Sequence, residues 1–479
     1  MKSRKSWKST ARLCGGVLLV SLMAGCTTHT TKFADVRKNY VAHNFDEALK
    51  ITSKEIKSQK DGNDALLWKM EHATILRAKG DFAKSETAFE VVREKYAENL
   101  DAAKTRLLRG TVDLLTSPAN APYWGAGYDG IMIDTYQALN ALQLGKPDDA
   151  RIYLRRSYLL QEEIAEYNAV RIEKERAKAE EDKAAKEALS ENEKAFEVDM
   201  GELEDVSAEI KAYGSYINPF AVYLDGLFNY AQGDVENARF SLKKVNAFVP
   251  QNSAVKVDYE AAEAGQALQP SVYVIFETGM APHLVENRVD IVLPTYLINI
   301  LRSTRSFPTL VSFSLAYPQL KTSSSYVSQL MAGDATTERV VSMDAVIGRE
   351  FQDNYSSVMT KAIASATIKA AAVIIAQVAV VKGLENRADI PSQMALKAAV
   401  AVVMTVINKA TTVADTRSWQ TLPKEIQVAK CDMPGNRRLS LATPGGWRQD
   451  VALIEGDVVV VYVKAITSRP VSVNQFKLR

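Results

Sequence analysis

Hydrophobic residues follow a helical spacing over the first half of the chain and form strand-like runs over much of the second. Between residues 33 and 265 apolar positions recur every three or four residues, and few segments have strand character. From Ser271 onward short runs of β-branched and aromatic residues are separated by Gly and Pro. These patterns are typical of amphipathic helices and of strands. The sequence predicts an α+β fold, mainly α, with a helical domain over 33–265 and an α+β domain over 271–479.

Turn signals within the helical region recur in four places. Each has Gly or a small polar residue before a new helix, with Ala or another small residue shortly after it, which allows two helices to approach closely. The segments are Asn44–Ala48, Gly80–Phe82, Gly145–Ala150 and Gly233–Ala238. They resemble the turn and second helix of tetratricopeptide (TPR) repeats, although their unequal separations indicate a degenerate array. Stacked repeats imply a concave protein-binding surface. The alternative is a generic helical bundle with similar turns.

Two insertions interrupt this helical region. The first, Ser117 to Gly130, is rich in Gly, Pro and aromatic residues and leads into a helix. If they are exposed, Tyr123, Trp124 and Tyr128 would suit a partner-binding hot spot. The alternative is that the loop packs onto its own helices.

The second insertion spans about residues 162–213. In its middle, from Arg171 to Glu187, the chain alternates charges and is otherwise mostly Ala. Such a pattern is typical of a solvated helix with ion pairs four residues apart. We therefore expect a projecting, coiled-coil-like helical arm with a charged middle.

The α+β region contains eight predicted strands and two long helices. The strands are expected at 271–277, 289–293, 310–316, 426–431, 437–442, 451–454, 457–463 and 471–476. The helices, at 351–383 and 392–413, contain uncharged Ala/Val-rich runs at 370–381 and 398–407. Each run is about half of the ~20 residues that a membrane-spanning helix needs. The interpretations are a buried hairpin that covers a sheet, and a hairpin over 359–413 that inserts into a membrane or oligomerises.

The first residues have the three-part arrangement of a secretory signal. Basic residues precede an apolar stretch from Leu13 to Met23, and two small residues lead to Cys26. The segment Leu22–Cys26 resembles a bacterial lipobox, with Met23 at a position where Leu or Val is more usual. The resemblance implies a signal peptide over 1–25 and an acylated Cys26, with a short tether over 26–32. Acyl chains such as palmitate would anchor the protein, since each buried CH₂ contributes about 0.8 kcal/mol.

Composition narrows the classes of function. The 479 residues are 47% hydrophobic and 24% charged, with a net charge of +2. These values are ordinary for a globular protein and give no indication of nucleic-acid binding. Of the three cysteines, Cys14 would leave with the signal and Cys26 would be lipidated, so Cys431 has no partner for an intramolecular disulfide.

No motif for catalysis, cofactor binding or metal binding is present, and we predict no residue for these roles. The four His residues form no zinc-binding pair, and neither a Walker A loop nor a nucleophile elbow occurs. Glu277, at a strand end near His283, is the one cluster worth inspection, although a structural turn is the simpler interpretation. Paired carboxylates of a glycosidase need only spatial proximity, so the sequence leaves that class open.

Three segments together resemble an uncharacterised family of Gram-negative envelope lipoproteins with repeat-like helices. They are Asn218–Leu227, Phe276–Pro282 and Asp415–Pro423. The resemblance implies no catalytic residues. Together with Thr27 after the acylated cysteine, it implies a lipid-anchored protein on the periplasmic face of the outer membrane. Its partners would be envelope proteins, other lipoproteins among them, in assembly or export. A non-enzymatic scaffold is the main hypothesis; the alternatives are an enzyme on peptidoglycan or polysaccharide and a component of a secretion pore.

Overall fold

A computed structural model describes residues 29–60, 62–108, 121–181, 217–294, 310–355, 358–359, 362 and 413–479. It has an N-terminal helical array followed by strands, which confirms the predicted α+β, mainly α, class. The predicted signal peptide and Cys26 lie outside the described residues. So do residues 182–213 of the predicted arm and nearly all of the predicted 359–413 hairpin.

Among the described residues, the helical part comprises four helical hairpins and one further helix. The pairs are α1 (His29–Val41) with α2 (Phe45–Ser58), α3 (Ala65–Lys79) with α4 (Phe82–Leu108), α5 (Gly127–Gln143) with α6 (Pro147–Glu181), and α7 (Pro219–Ala231) with α8 (Val235–Phe248). Helix α9 (Ser253–Glu263) follows them. Each turn contains a residue with a left-handed backbone, at His43, Gly80, Gly145 or Gly233. The four predicted turns are therefore confirmed, because this conformation ends a helix and reverses the chain.

The first and second helices of these hairpins differ in burial. Every residue of α5 from Gly127 to Leu142 is buried, and α3 and α7 are buried on nearly all sides. In contrast, α4 and α8 bury a single face and expose the other to solvent. Strands of the C-terminal part contact α3, α5 and α7, the most deeply buried helices of the array. The inner surface of the array is therefore filled by the protein's own C-terminal part.

A five-stranded sheet forms the centre of the C-terminal part. Its strands are β1 (Ser271–Thr278), β6 (Glu338–Ser342), β7 (Glu425–Asp432), β10 (Val458–Ala465) and β11 (Pro470–Lys477), in the order β11-β10-β1-β7-β6. Strand β1 is parallel to β10 and antiparallel to β7. Alternate residues face opposite sides, as a strand requires. Tyr273 and Ile275 belong to the core shared with the helices, whereas Val272 and Val274 belong to a second core.

The second core is covered by a smaller four-stranded sheet. It comprises β4 (Met331–Ala332), β5 (Ala335–Thr336), β8 (Arg438–Ala442) and β9 (Arg448–Ala452), in the order β5-β4-β8-β9. A separate pair, β2 (His283–Pro294) and β3 (Leu310–Lys321), forms a two-stranded sheet. A further helix, α10, spans residues 343–355. All eight predicted strands are present, and β4, β5 and β6 were not predicted.

The predicted tether over 26–32 is too long by four residues. Helix α1 begins at His29, which is buried together with Phe33, Val36 and Tyr40. These residues recur at helical spacing, and the uncharged His29 ring extends the apolar stripe by one turn. The helical array therefore begins at residue 29 and not at residue 33.

Among the helices of the described ranges, none combines the length and apolar character that a membrane span requires.

Candidate functional site

The centre of the molecule is an extended stretch that runs between the helical array and the five-stranded sheet. This stretch, residues 414–423, is called the junction segment below; all of its residues are buried except Asp415, which is half-buried. It contains one of the three segments that carry the lipoprotein resemblance. Because it is not part of a sheet, its backbone N–H groups need other acceptors.

Glu71, on the inner helix α3, supplies those acceptors. Its Oε1 accepts a hydrogen bond of 2.8 Å from the Gln420 backbone N–H. Its Oε2 accepts one of 3.2 Å from the Thr421 N–H and one of 2.6 Å from the Thr421 hydroxyl. Burial raises the pKa of this carboxyl to about 8, although the three hydrogen bonds act in the opposite direction. One acidic side chain thus holds the junction segment against the array.

Trp419 fills the space beside this carboxyl. Its indole N–H lies 3.0 Å from the Thr74 hydroxyl oxygen and 3.1 Å from that of Thr421. Its ring is fully buried, with centroids 6.1 Å from Phe89 and 6.0 Å from Tyr136. The junction segment therefore contributes a large aromatic anchor to the core of the helical array.

Arg417 links the junction segment to two parts of the array. Its guanidinium forms a bidentate pair with Asp415, at 2.8 and 2.7 Å, and lies 3.2 Å from Asp64. It also donates to the Ala121 carbonyl at 2.7 Å. Burial acts to lower the pKa of Arg417, but the two carboxylates raise it above its ordinary value. The side chain is therefore a buried cation, compensated by two acids.

The predicted partner-binding aromatics lie beside this cation. The Tyr123 ring faces the Arg417 guanidinium at 5.6 Å, and the Tyr123 hydroxyl donates to Asp129 at 2.6 Å. Tyr128 is buried, and Trp124 is half-buried with Arg106 over its ring at 5.3 Å. The described part of the loop, from residue 121, contacts the protein's own helices and the junction segment, and of the three rings Tyr128 is buried while Tyr123 and Trp124 are partly exposed.

Other carboxylates with raised pKa values secure the start of α5. Glu350, on α10, accepts hydrogen bonds from the Gly127 and Tyr128 backbone N–H groups at 2.8 and 3.1 Å. Asp129 accepts one from the Ala126 N–H at 2.8 Å. Burial raises the pKa of Asp129 to about 7 and also raises that of Glu350. Both acids are buried and hold backbone at a helix N-terminus, where negative charge is favourable.

Glu277 and His283, the cluster selected from the sequence, have different partners. Glu277 is buried and forms an ion pair of 2.5 Å with Lys464. Burial alone would raise the pKa of Glu277, but the charges of Lys464 and Arg77 bring it below its ordinary value. The ring of His283 lies 3.1 Å from the Arg37 guanidinium, and burial with this cation lowers its pKa to about 4. The two residues form no shared acid–base pair.

Arg77 is a second buried cation of the interior. It donates to the Asn140 side-chain oxygen at 2.6 Å and lies over the rings of Tyr462 and Tyr136 at 4.7 and 5.3 Å. Sequence reasoning missed both Arg77 and Glu71. The available signal was the spacing of Glu71, Thr74 and Arg77 in helix α3, whose other buried residues are all apolar. That spacing of three residues places polar groups on one face that must meet partners inside the protein.

The described part of the chain supports neither a metal site nor a reactive thiol. Within it, no group of three or more His, Cys, Asp or Glu residues is placed to hold a metal ion. Cys431 is half-buried, and its thiol donates to the Ala332 carbonyl at 3.3 Å. Burial raises the pKa of that thiol to about 11, so it stays protonated and weakly nucleophilic.

No family model, curated protein or solved structure matches the chain. The geometry of the junction segment and its surroundings is therefore the basis for the functional argument.

Proposed function

We propose that this protein is a lipoprotein of the bacterial envelope that acts as a non-enzymatic scaffold or accessory in assembly or export. Acyl chains on Cys26 hold it at the periplasmic face of the outer membrane, and its partners are envelope proteins, other lipoproteins among them. The observation that carries the proposal is the position of α1. This helix begins only three residues after Cys26 and is bonded directly to the centre of the molecule.

The first turn of α1 is fixed by hydrogen bonds and ring contacts. The Thr30 hydroxyl lies 2.9 Å from the Thr416 carbonyl oxygen and 2.8 Å from the Thr416 hydroxyl. The His29 ring packs against Trp68 with centroids 4.4 Å apart. His29 is three residues after Cys26, a separation that an extended chain covers in about 11 Å at most. An acylated Cys26 would therefore hold the folded body close to the bilayer.

The inner surface of the array is occupied by the junction segment and the sheet, so partners of a scaffold must bind elsewhere. Large apolar side chains are exposed on the outer helices, at Val91, Ile152, Leu159 and Phe240. Phe240 and Ile152 are 62% and 59% exposed, which is high for side chains of this size. This arrangement supports partner binding on the outer surface and replaces the concave surface that the TPR resemblance implied.

The enzymatic alternative would require carboxylates that face an open cleft. Glu71 and Asp129 have raised pKa values, but both side chains are fully buried and accept hydrogen bonds from the backbone. Their geometry supports a structural role. The secretion-pore alternative relied on the Ala/Val-rich helices, which lie outside the described residues.

The experiment has one arm for the anchor and one for the scaffold. Cells are given a fatty acid with a clickable group, and the wild-type protein is compared with Cys26→Ser; label and outer-membrane fractionation should both be lost in the variant. In the second arm a photo-crosslinking amino acid replaces Phe240 or Ile152 or, as a control on the C-terminal part, the exposed Asn436. Envelope proteins should be recovered from position 240 and not from position 436. The scaffold function is wrong if position 152 and position 240 both recover none.

A further inference from the structure

The outer helices α6 and α8 run in the same direction, and both pack against α7. Gln161 of α6 accepts a hydrogen bond of 3.0 Å from the backbone N–H of Asn218, directly before α7. Arg151, more than two turns earlier on α6, lies over the ring of Phe228 near the end of α7. Helix α6 is therefore antiparallel to α7. Helix α8 turns back from α7 at Gly233 and is also antiparallel to it, so α6 and α8 are parallel to each other.

One contact shows how the two parallel helices are aligned. The Lys244 ammonium of α8 lies 5.1 Å from the ring centroid of Tyr158 on α6. Phe240 precedes Lys244 by about one turn of α8. Ile152 precedes Tyr158 by nearly two turns of α6. Phe240 and Ile152 therefore lie on the same side of this contact, on neighbouring helices.

The exposed residues around this contact combine apolar groups with cations. Ile152 and Leu159 are seven residues apart and share one face of α6, with Arg155 between them. Phe240 and Lys244 are four residues apart and share one face of α8. We name these five residues the outer patch. Its three apolar side chains are between 47% and 62% exposed, Arg155 is exposed, and Lys244 is half-buried.

The two cations of the outer patch form no ion pair within the described residues. Both Arg155 and Lys244 lie over the ring of Tyr158 instead, at 5.7 and 5.1 Å. Asp225 of α7 is near Arg155, but its carboxyl accepts a hydrogen bond of 2.8 Å from a serine hydroxyl of α8. The exposed Lys84 of α4, in contrast, pairs with a carboxylate three residues earlier in the chain. The cations of the outer patch are thus available to carboxylates of another molecule.

Acidic residues limit the extent of this basic surface along α6. Asp148 is exposed one turn before Ile152, on the same face. Glu162 is exposed about one turn after Leu159. An anionic bilayer, which is wide, would meet these acids together with the cations and would be repelled by them. A narrow acidic segment that crosses between Asp148 and Glu162 would meet the cations alone, so the distribution of charge favours a protein segment over a membrane.

We propose that the outer patch binds an acidic amphipathic helix of a partner protein. The inference rests on the proposed function, which places partners on the outer surface, and deepens it by giving their chemistry. Apolar side chains of the partner helix lie against Ile152, Leu159 and Phe240. Its carboxylates pair with Arg155 and Lys244. Two parallel helices leave a groove between them, and a helix with apolar residues three and four positions apart fits such a groove.

Two synthetic helical peptides test the choice of charge. They have Leu at the same amphipathic positions, with Glu beside them in one peptide and Lys in the other. Each carries a fluorophore and is titrated with the mature chain containing Cys26→Ser, and binding is followed by anisotropy. The Glu peptide should bind about tenfold or more tightly than the Lys peptide at about 50 mM salt, and the ratio should shrink at about 1 M, where the Debye length is about 3 Å. Equal binding of the two peptides, or no binding of either, overturns the proposal.

Charge reversal locates the selection on the protein. Arg155→Glu together with Lys244→Glu should invert the preference, so that the Lys peptide binds more tightly. Lys54→Glu together with Lys57→Glu makes the same change on exposed positions of α2 and is the matched control, which should keep the wild-type preference. Circular dichroism checks that both double variants are folded. Equal effects of the two double variants overturn the proposal.

The apolar part of the outer patch has its own pair of variants. Phe240→Ser should weaken binding of the Glu peptide by about tenfold or more, as loss of one buried aromatic side chain implies. Val91→Ser removes an apolar side chain of α4 that is 46% exposed but lies outside the patch, and it should bind like the wild type. Equal losses from the two substitutions would place binding elsewhere and overturn the proposal.

Other occupants of the outer patch give distinct results, and each overturns the proposal. A photo-crosslinker at position 240 of the purified chain would capture residues 190–210 if this acidic stretch of the same chain covers the patch. A covalent dimer would identify a second copy. Phosphatidylglycerol vesicles that bind the wild type and not the charge-reversed variant would identify a membrane.

The peptide titration and the crosslinking in cells separate this inference from the scaffold function. If position 240 captures envelope proteins in cells but the two peptides bind equally, the scaffold function stands and the inference alone is wrong. If the Glu peptide is preferred but positions 152 and 240 capture no envelope protein, the scaffold function alone is contradicted.

Discussion

Substitution of Glu71 by Gln tests the account of the junction segment most directly. The side chain keeps its size but loses its ability to ionise and presents only one acceptor oxygen. In the wild type the two carboxylate oxygens accept three hydrogen bonds from Gln420 and Thr421. In Glu71→Gln the amide oxygen can replace only one of the two carboxylate oxygens, so the N–H₂ group faces either the Gln420 N–H or both donors of Thr421. Leaving such a donor unpaired costs about 1–3 kcal/mol of unfolding free energy.

The pKa of Glu71 adds a dependence on pH with a definite sign. The carboxyl keeps its proton up to about pH 8 in the native state, against an ordinary value of 4.5. Between these values the unfolded chain binds fewer protons than the native protein, so the wild type loses stability as the pH rises. Each pKa unit is worth about 1.4 kcal/mol, so this group removes about 3–4 kcal/mol between about pH 5 and about pH 8. Glu71→Gln has no such loss. Its lower unfolding free energy relative to the wild type should therefore become a smaller difference, or reverse, as the pH rises.

Urea denaturation followed by tryptophan fluorescence measures the effect, because Trp68 and Trp419 are fully buried. Wild type and Glu71→Gln, both with Cys26→Ser, are compared at about pH 5 and about pH 8. The pKa of Asp129 is also raised, to about 7, but this contribution is common to both proteins and cancels in the difference. If the two proteins lose the same stability between these pH values, Glu71 is ionised in the native state and the reasoning is wrong.

Three further substitutions follow from the same structure. Gly130→Ala would place a Cβ 2.5 Å from the Tyr96 ring and should cost about 1–3 kcal/mol in thermal denaturation. Gly435→Ala, where a Cβ meets open space, is the matched control and should change stability by less than about 0.5 kcal/mol; equal effects would contradict the packing. His29→Phe should remove an acid-dependent loss of stability. Burial lowers the pKa of His29 to about 3, so the wild type loses stability as the pH falls below 6.5, at up to about 1.4 kcal/mol per pH unit. If the denaturation midpoints of wild type and His29→Phe change by the same amount from about pH 6 to about pH 4, the role assigned to His29 is wrong. Arg417→Lys breaks a bidentate pair and should lower the unfolding free energy by about 1–3 kcal/mol; an unchanged urea midpoint would show that the pair contributes little.

Local signals in the sequence were sufficient for most elements. A turn needs a residue that tolerates a left-handed backbone, and Gly80, Gly145 and Gly233 supply it directly before a new helix. The buried strands β1 and β10 are dense in β-branched and aromatic residues, so they stand out without knowledge of their neighbours. Such features depend on a few adjacent residues, and the sequence therefore predicts them well.

Elements that depend on distant partners were missed. Strand β6 has five residues and pairs with β7 more than 80 residues later, with an irregularity between Arg339 and Val341. Its stability comes from that pairing and not from its own composition. Likewise, His29 was assigned to a polar tether, because the sequence does not show that Phe33 and Trp68 enclose its neutral ring.

The candidate site was the least predictable part for the same reason. Glu71 and the backbone groups that it holds are about 350 residues apart in the chain. The sequence marked both segments, one as a helix and the other through its family resemblance, but gave no indication that they meet. The concave surface implied by the TPR resemblance was expected to receive a partner, whereas the junction segment and the central sheet occupy it.

The junction segment also determines how an anchor at Cys26 would act on the rest of the molecule. Near its start, Thr416 is bonded to Thr30 of α1. Near its end, Thr421 is bonded to Glu71 of α3. Directly after the segment, the Lys424 N–H donates to the Thr278 carbonyl of the central sheet at 3.0 Å. Movement of α1 relative to the sheet would break hydrogen bonds of buried and partly buried groups, which is costly. A force on α1 is thus transmitted to the sheet through ordered contacts. With the anchor proposed above, the outer helices would keep a fixed arrangement relative to α1, the first helix after Cys26.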